Sequence, residues 1–183
     1  MKARPADPRA VPVASLARDG AILGGQLPLA SLVRLREALH QAPPEGAVLD
    51  WRARFGQEER PGSAPRTWLD LQAETAVTLQ CQRCLDPMAQ RLVVDRRFWF
   101  AASEAEAERL DAESDDEHLV LVPRLDLPGL VEDELILALP LVPRHEPHCP
   151  VPLAAPEGAV SAASEEPHPF AALAALRKGR ETH

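Results

Sequence analysis

The amino-acid sequence predicts an α+β fold: a mostly antiparallel β-sheet with two or three covering helices and a disordered C-terminal linker. Three observations carry this. Residues Leu69–Cys81 alternate between apolar and polar side chains at every position except Thr75–Ala76, the period of a half-buried strand. Two stretches, Leu29–His40 and Leu130–Leu139, repeat apolar residues at three- and four-residue steps. Residues 150–167 are mostly Ala, Pro, Ser and Glu without an aromatic, a composition that cannot build a core.

The elements follow in chain order. Residues 1–25 carry Pro5, Pro8 and Pro12 and read as an N-terminal arm, with a short strand over Val11–Leu16. A domain is expected over residues 26–149. Its first helix sets Leu29, Leu32, Leu35 and Leu39 on one face, with Pro28 at its start and Pro43–Pro44 beyond its end. Ala47, Leu49, Trp51, Ala53 and Phe55 alternate with Asp50, Arg52 and Arg54 as a strand. Gly56–Pro65 is a polar loop. In the next strand Leu69, Leu71, Ala73, Val77, Leu79 and Cys81 share a parity. Arg91–Phe100 is a third strand, apolar enough to be partly covered on both faces, and the short CQRCLDPMAQ segment before it suits a hairpin.

Beyond it, Ser103–Glu117 holds eight acidic groups against Arg109 and reads as a solvated loop or a frayed helix. His118–Val122 is a short strand. Asp126 can cap the last helix, whose first turn tolerates Pro128. There Leu130, Val131, Leu135, Ala138 and Leu139 face the core, while Glu132, Asp133 and Glu134 face water, and Pro140 ends the run. After the linker at 150–167, residues 168–183 form a short helix and tail, with Phe170, Leu173 and Leu176 on one face. That face suits either a partner groove or the chain's own domain.

The 183 residues carry a net charge of −8, which argues against a uniformly basic nucleic-acid binder. Most of the excess lies in residues 103–117. No apolar run is long enough for a membrane helix, and the N-terminus lacks the apolar core of a secretory signal. With 3 Cys, a disulfide framework is not expected, and the expected compartment is the cytoplasm.

Chemistry concentrates at Cys81-Gln-Arg-Cys84. A C-x-x-C turn supplies half a tetrahedral zinc site, and His145 and Cys149, spaced H-x3-C, can supply the rest. The candidate metal ligands are therefore Cys81, Cys84, His145 and Cys149, with His148 a less favoured substitute because it adjoins Cys149. Two other readings stay open. The cysteines can be reduced, semi-buried and metal-free, or Cys81 and Cys84 can be a thiol redox pair. The redox motif, however, normally opens a helix after a strand, whereas this pair ends a strand.

Arg52, Arg54, Arg83, Arg91, Arg96, Arg97 and Arg144 lie on or near the strands and the C-x-x-C turn. Together they would make a phosphate-binding face; apart, they are an ordinary solvated sheet surface. Trp99, between Phe98 and Phe100, could stack a base, although a core role is the default. Glu132, Asp133 and Glu134 point in different directions on a helix and form no acid–base pair. Nothing resembles a nucleophile with its base, a P-loop or a dinucleotide loop.

Three blocks carry a resemblance. VTLQCQRCLDPM (Val77–Met88), LPGLVEDELILALPLVPRHEPHC (Leu127–Cys149) and HPFAALAALRK (His168–Lys178) resemble, in order, the signatures of the YceD family of large ribosomal RNA subunit accumulation proteins. The resemblance implies a non-enzymatic role in the synthesis, processing or stability of 23S ribosomal RNA. It implies as partners a ribosomal protein, the rRNA or an rRNA-processing factor, with no membrane and no small-molecule substrate. Some members carry extra Cys pairs in the second block, where His145 and Cys149 stand here, which supports a metal site in those members. The acidic balance favours a basic protein partner.

Overall fold

The computed structural model of the chain describes residues 7–150. The expected linker from residue 151 onward and the expected helix after it lie outside the described residues.

Five strands form one sheet in chain order: β1 (Ile22–Pro28), β2 (Val48–Glu58), β3 (Arg66–Gln80), β4 (Pro87–Ala101) and β5 (Glu117–Val120). The first four make an antiparallel meander, and β5 joins β4 in parallel. A parallel neighbour needs a crossover. Here α3 (Glu104–Glu113) supplies it, so the acidic segment is an ordered helix for most of its length. Ser103 accepts the Glu106 N–H at 3.3 Å, and the Glu106 carboxylate accepts the Ala102 N–H at 2.8 Å. That reciprocal capping, with acidic groups in the first turn, favours the helix despite its net charge.

The β3 alternation is borne out. Leu69, Leu71, Ala73, Val77 and Leu79 are buried on one face, joined by Leu49, Ala53 and Phe55 of β2 and by Leu92, Val94 and Phe98 of β4. Three helices contribute to this core: α1 (Val13–Arg18) through Val13 and Ala17, α2 (Val33–Glu37) through Leu35, and α4 (Leu127–Leu137) through Leu127, Val131 and Leu135. Asp126 caps α4 by accepting the Gly129 N–H at 3.2 Å, as its sequence suggests.

Four local expectations are corrected. The segment Val11–Leu16 is not a strand. Val11 makes a two-way backbone bridge to Leu125, and α1 follows Pro12, because Val13 and Ala17 are one helical turn apart and bury together. The N-terminal segment is therefore packed into the core from Val11, not a free arm. The strand β1 is an addition: its exposed residues and two glycines hide it from a periodicity reading. The Leu29–His40 helix divides into a single 3-10 turn, Leu29–Ser31, and α2. Leu29, Leu32 and Leu35 are buried as their spacing demands, but the backbone breaks at Leu32. Finally, Glu132 and Glu134 are buried and only Asp133 faces solvent.

Candidate metal centre

The β3–β4 hairpin places the C-x-x-C turn. The Cys81 N–H donates to the Asp86 carbonyl at 3.0 Å, closing the hairpin, and the Leu85 N–H donates back to Cys81 at 2.9 Å. Leu85 takes a left-handed conformation, φ 63°, to make the reversal. The segment after α4 then returns to this turn. The Gln82 N–H donates to the Pro143 carbonyl at 2.8 Å, which sets His145 and Cys149 opposite the two hairpin cysteines.

The ligand atoms of Cys81, Cys84, His145 and Cys149 all lie within 4.8 Å of one another. The Cys81 and Cys149 sulfurs are 3.8 Å apart, and the Cys84 sulfur is 3.4 Å from His145 Nδ1. Tetrahedral zinc with ordinary bond lengths puts two sulfurs roughly 3.8 Å apart and a sulfur and a nitrogen roughly 3.5 Å apart. The donor set and its spacing therefore suit zinc. His145 Nε2 lies 3.2 Å from the Pro87 carbonyl; donation there leaves the Nδ1 lone pair facing the cysteines. That supporting carbonyl had no signal in the sequence. His148 is not a member of the cluster.

The thiols are unequal. Burial opposes ionisation of Cys81, but hydrogen bonding from the Cys84, His145 and Arg83 backbones outweighs it and lowers the thiol to about 5. At Cys84 the Asp86 backbone favours the thiolate, yet burial and the neighbouring Cys81 and Cys149 sulfurs push it up to about 11. Three thiols crowded together resist a second negative charge, and a divalent cation relieves that repulsion. The pair sits in a hairpin rather than at a helix N-terminus, unlike the redox motif.

The arginines do not converge on a free basic face. Arg52, Arg54, Arg91 and Arg97 share the outer face of the sheet with Asp50, Asp70, Glu74 and Asp95. Arg97 pairs with Asp70 at 2.5 Å, and Arg91 with Glu74 at 2.7 Å. The Arg91 hydrogen bond holds the Glu74 carboxyl below its usual range. Arg96 lies on the opposite parity, paired with Glu117 and 3.7 Å from Glu134. Trp99 is buried and no open platform: the Arg66 guanidinium covers its ring at 3.9 Å. Arg66 also reaches the buried His118, whose other ring nitrogen is 2.7 Å from Asp111. Trp68 lies between Arg54 and Arg97, at 5.0 and 4.8 Å from its ring centre.

Among the described residues no helix is long and apolar enough to cross a membrane. No solved structure gives a match. A relative from Haemophilus influenzae, the large ribosomal RNA subunit accumulation protein YceD, is 40% identical over 107 residues. That similarity covers 56% of this chain and 60% of the relative, so it spans less than two thirds of the relative's length. The family model described as large ribosomal RNA subunit accumulation protein YceD matches residues 69–177, a stretch that includes all four residues of the Cys–His cluster. With more than half its length in that match, the chain belongs to the YceD family.

Proposed function

We propose that this chain is a non-enzymatic ribosome-biogenesis factor, acting in the cytoplasm on the synthesis, processing or stability of 23S ribosomal RNA, with a structural zinc ion held by Cys81, Cys84, His145 and Cys149. Family membership across residues 69–177 is the observation that carries the reading. The zinc reading is supported by the close approach of four suitable donors and by the 3.8 Å sulfur–sulfur spacing. Bound there, zinc would fasten the segment after α4 to the β3–β4 hairpin, a folding role that needs no open coordination position.

The direct partner we favour is a basic ribosomal protein. Eight acidic groups gather in and around α3, while the sheet arginines are largely engaged by neighbouring carboxylates. Such a surface attracts cationic segments and disfavours bare phosphate.

Deleting the gene and measuring 23S against 16S rRNA tests the biological reading. A lower ratio, restored by the full chain, is expected; an unchanged ratio would sink it. Metal analysis of freshly purified protein tests the centre, with about one zinc per chain and protected thiols expected. Zinc-free protein with a reactive Cys81 would favour a thiol redox role instead.

A further inference from the structure

We propose that the free edge of β4 is an interface between two copies of this chain, joined antiparallel into one continuous sheet about a two-fold axis at Val93. The proposal goes beyond the ribosomal reading and stands apart from it.

The strand β4 runs over Pro87–Ala101, but β5 pairs only with Phe98–Ala101. Among the described residues, the stretch 89–97 has no strand partner on that side. The Cys81–Asp86 hydrogen bond fixes which backbone groups are involved. Bonded pairs alternate in an antiparallel ladder. In this register, residues 88, 90, 92, 94 and 96 therefore point their N–H and C=O groups toward β3, and residues 89, 91, 93 and 95 point theirs to the open edge. Two local contacts agree: the outward carbonyl of Arg91 accepts from the Gln90 side chain at 2.9 Å, and that of Pro87 faces His145.

An open edge invites another strand unless the side chains forbid it. Here they match. A two-fold at Val93 sets Arg91, whose Nε already holds Glu74 of its own chain, opposite the partner's Asp95, Asp95 opposite the partner's Arg91, and the half-exposed Val93 opposite the partner's Val93. On the inner face it sets Leu92 opposite the partner's Val94. The outward-pointing residues pair with outward-pointing residues, as an antiparallel ladder requires. A groove of about 360 Å³ runs beneath the edge between Val93–Arg96 and α4, with Leu137 at its rim, 73% exposed. An added strand would cover that apolar side chain. The ends are closed to longer pairing by Pro87 and by β5, which limits the ladder to the stretch that is charge-matched.

Sedimentation of the full chain over a concentration series tests this. A reversible monomer–dimer equilibrium is expected. Val93→Pro removes an outward N–H without touching the β3 ladder, and should leave a folded monomer, checked by circular dichroism. Arg91→Asp and Asp95→Arg should each weaken the dimer about tenfold, since each turns two attractive pairs into repulsive ones. The double variant should return the dimer to within about threefold of the natural chain. A chain that stays monomeric throughout, a dimer that Val93→Pro leaves intact, or a double variant weaker than both singles would overturn the proposal.

Discussion

Glu132 on α4 holds the backbone of Arg34 on α2: its Oε1 accepts the Arg34 N–H at 2.7 Å, and its Oε2 accepts the same residue's guanidinium at 3.1 Å. Oε1 also accepts the Leu35 N–H at 3.1 Å. The short helix α2 has no capping side chain of its own, since Leu32 stands at its N-cap. A carboxylate 98 positions away therefore satisfies two donors that the helix leaves open.

Truncation of that carboxylate should be costly. Glu132→Ala leaves two N–H groups of α2 without their acceptor and should lower stability by about 2–3 kcal/mol in urea denaturation. Glu132→Gln keeps one acceptor oxygen and should cost about 1 kcal/mol. Equal losses for the two would mean that the space matters rather than the hydrogen bonds.

Glu134 should behave in the opposite sense. Burial, with Glu117 nearby, raises its carboxyl above the usual range, and Arg96 only partly offsets this. A raised carboxyl pKa makes the charged form less favourable in the folded chain than in the unfolded one. Glu134→Gln should therefore raise Tm at neutral pH. The gain should fade as pH falls through the raised pKa, and vanish below the ordinary carboxyl value, where the natural side chain is protonated in both states. A Tm lowered at neutral pH would show that the Arg96 contact outweighs burial.

The metal reading has its own pH signature. Binding must displace the thiol proton of Cys84, which lies at about 11 in the metal-free cluster. Zinc affinity should thus rise with pH and protons should be released on binding, measurable by titration in buffers of different ionisation enthalpy. Cys149→Ser should abolish stoichiometric zinc and lower Tm by about 10 °C at free zinc far above Kd. An unchanged Tm after chelation would deny zinc a structural role.

Gly56 and Trp68 should be coupled. A Cβ at Gly56 would lie 2.2 Å from the Trp68 ring, inside any permitted contact. Gly56→Ala should cost about 2–3 kcal/mol by forcing the indole off the sheet. Adding Trp68→Ala should remove most of that steric cost, giving a double variant more stable than the sum of the singles predicts. Strict additivity in chemical denaturation would rule out the clash.

Much of the site was legible because its information is local. C-x-x-C and H-x3-C each bring two donors together over one turn, whereas the return of the segment after α4 to the β3–β4 hairpin is what sets Cys81 and Cys84 against His145 and Cys149. The arginines were less legible. Parity correctly assigns Arg52 and Arg54 to the polar face of β2, but whether a cation is free depends on the neighbouring strand. Asp70 beside Arg97 and Glu74 beside Arg91 follow from register, which no single strand contains.

By itself the sequence determined the strand period of β3, the apolar faces of α2 and α4, the Asp126 cap and the two ligand spacings C-x-x-C and H-x3-C, because each rests on residues a few positions apart. Tertiary structure decided the rest. Glu132, Asp133 and Glu134 look alike in the chain, three carboxylates on one helix. Packing separates them: Glu132 meets the open N–H groups of α2, Glu134 is covered beneath Arg96, and Asp133 remains at the surface beside Arg34. A buried charge is tolerable only where donors from elsewhere reach it, so the position of α2 and β4 against α4, and not the residue type, set the role of each.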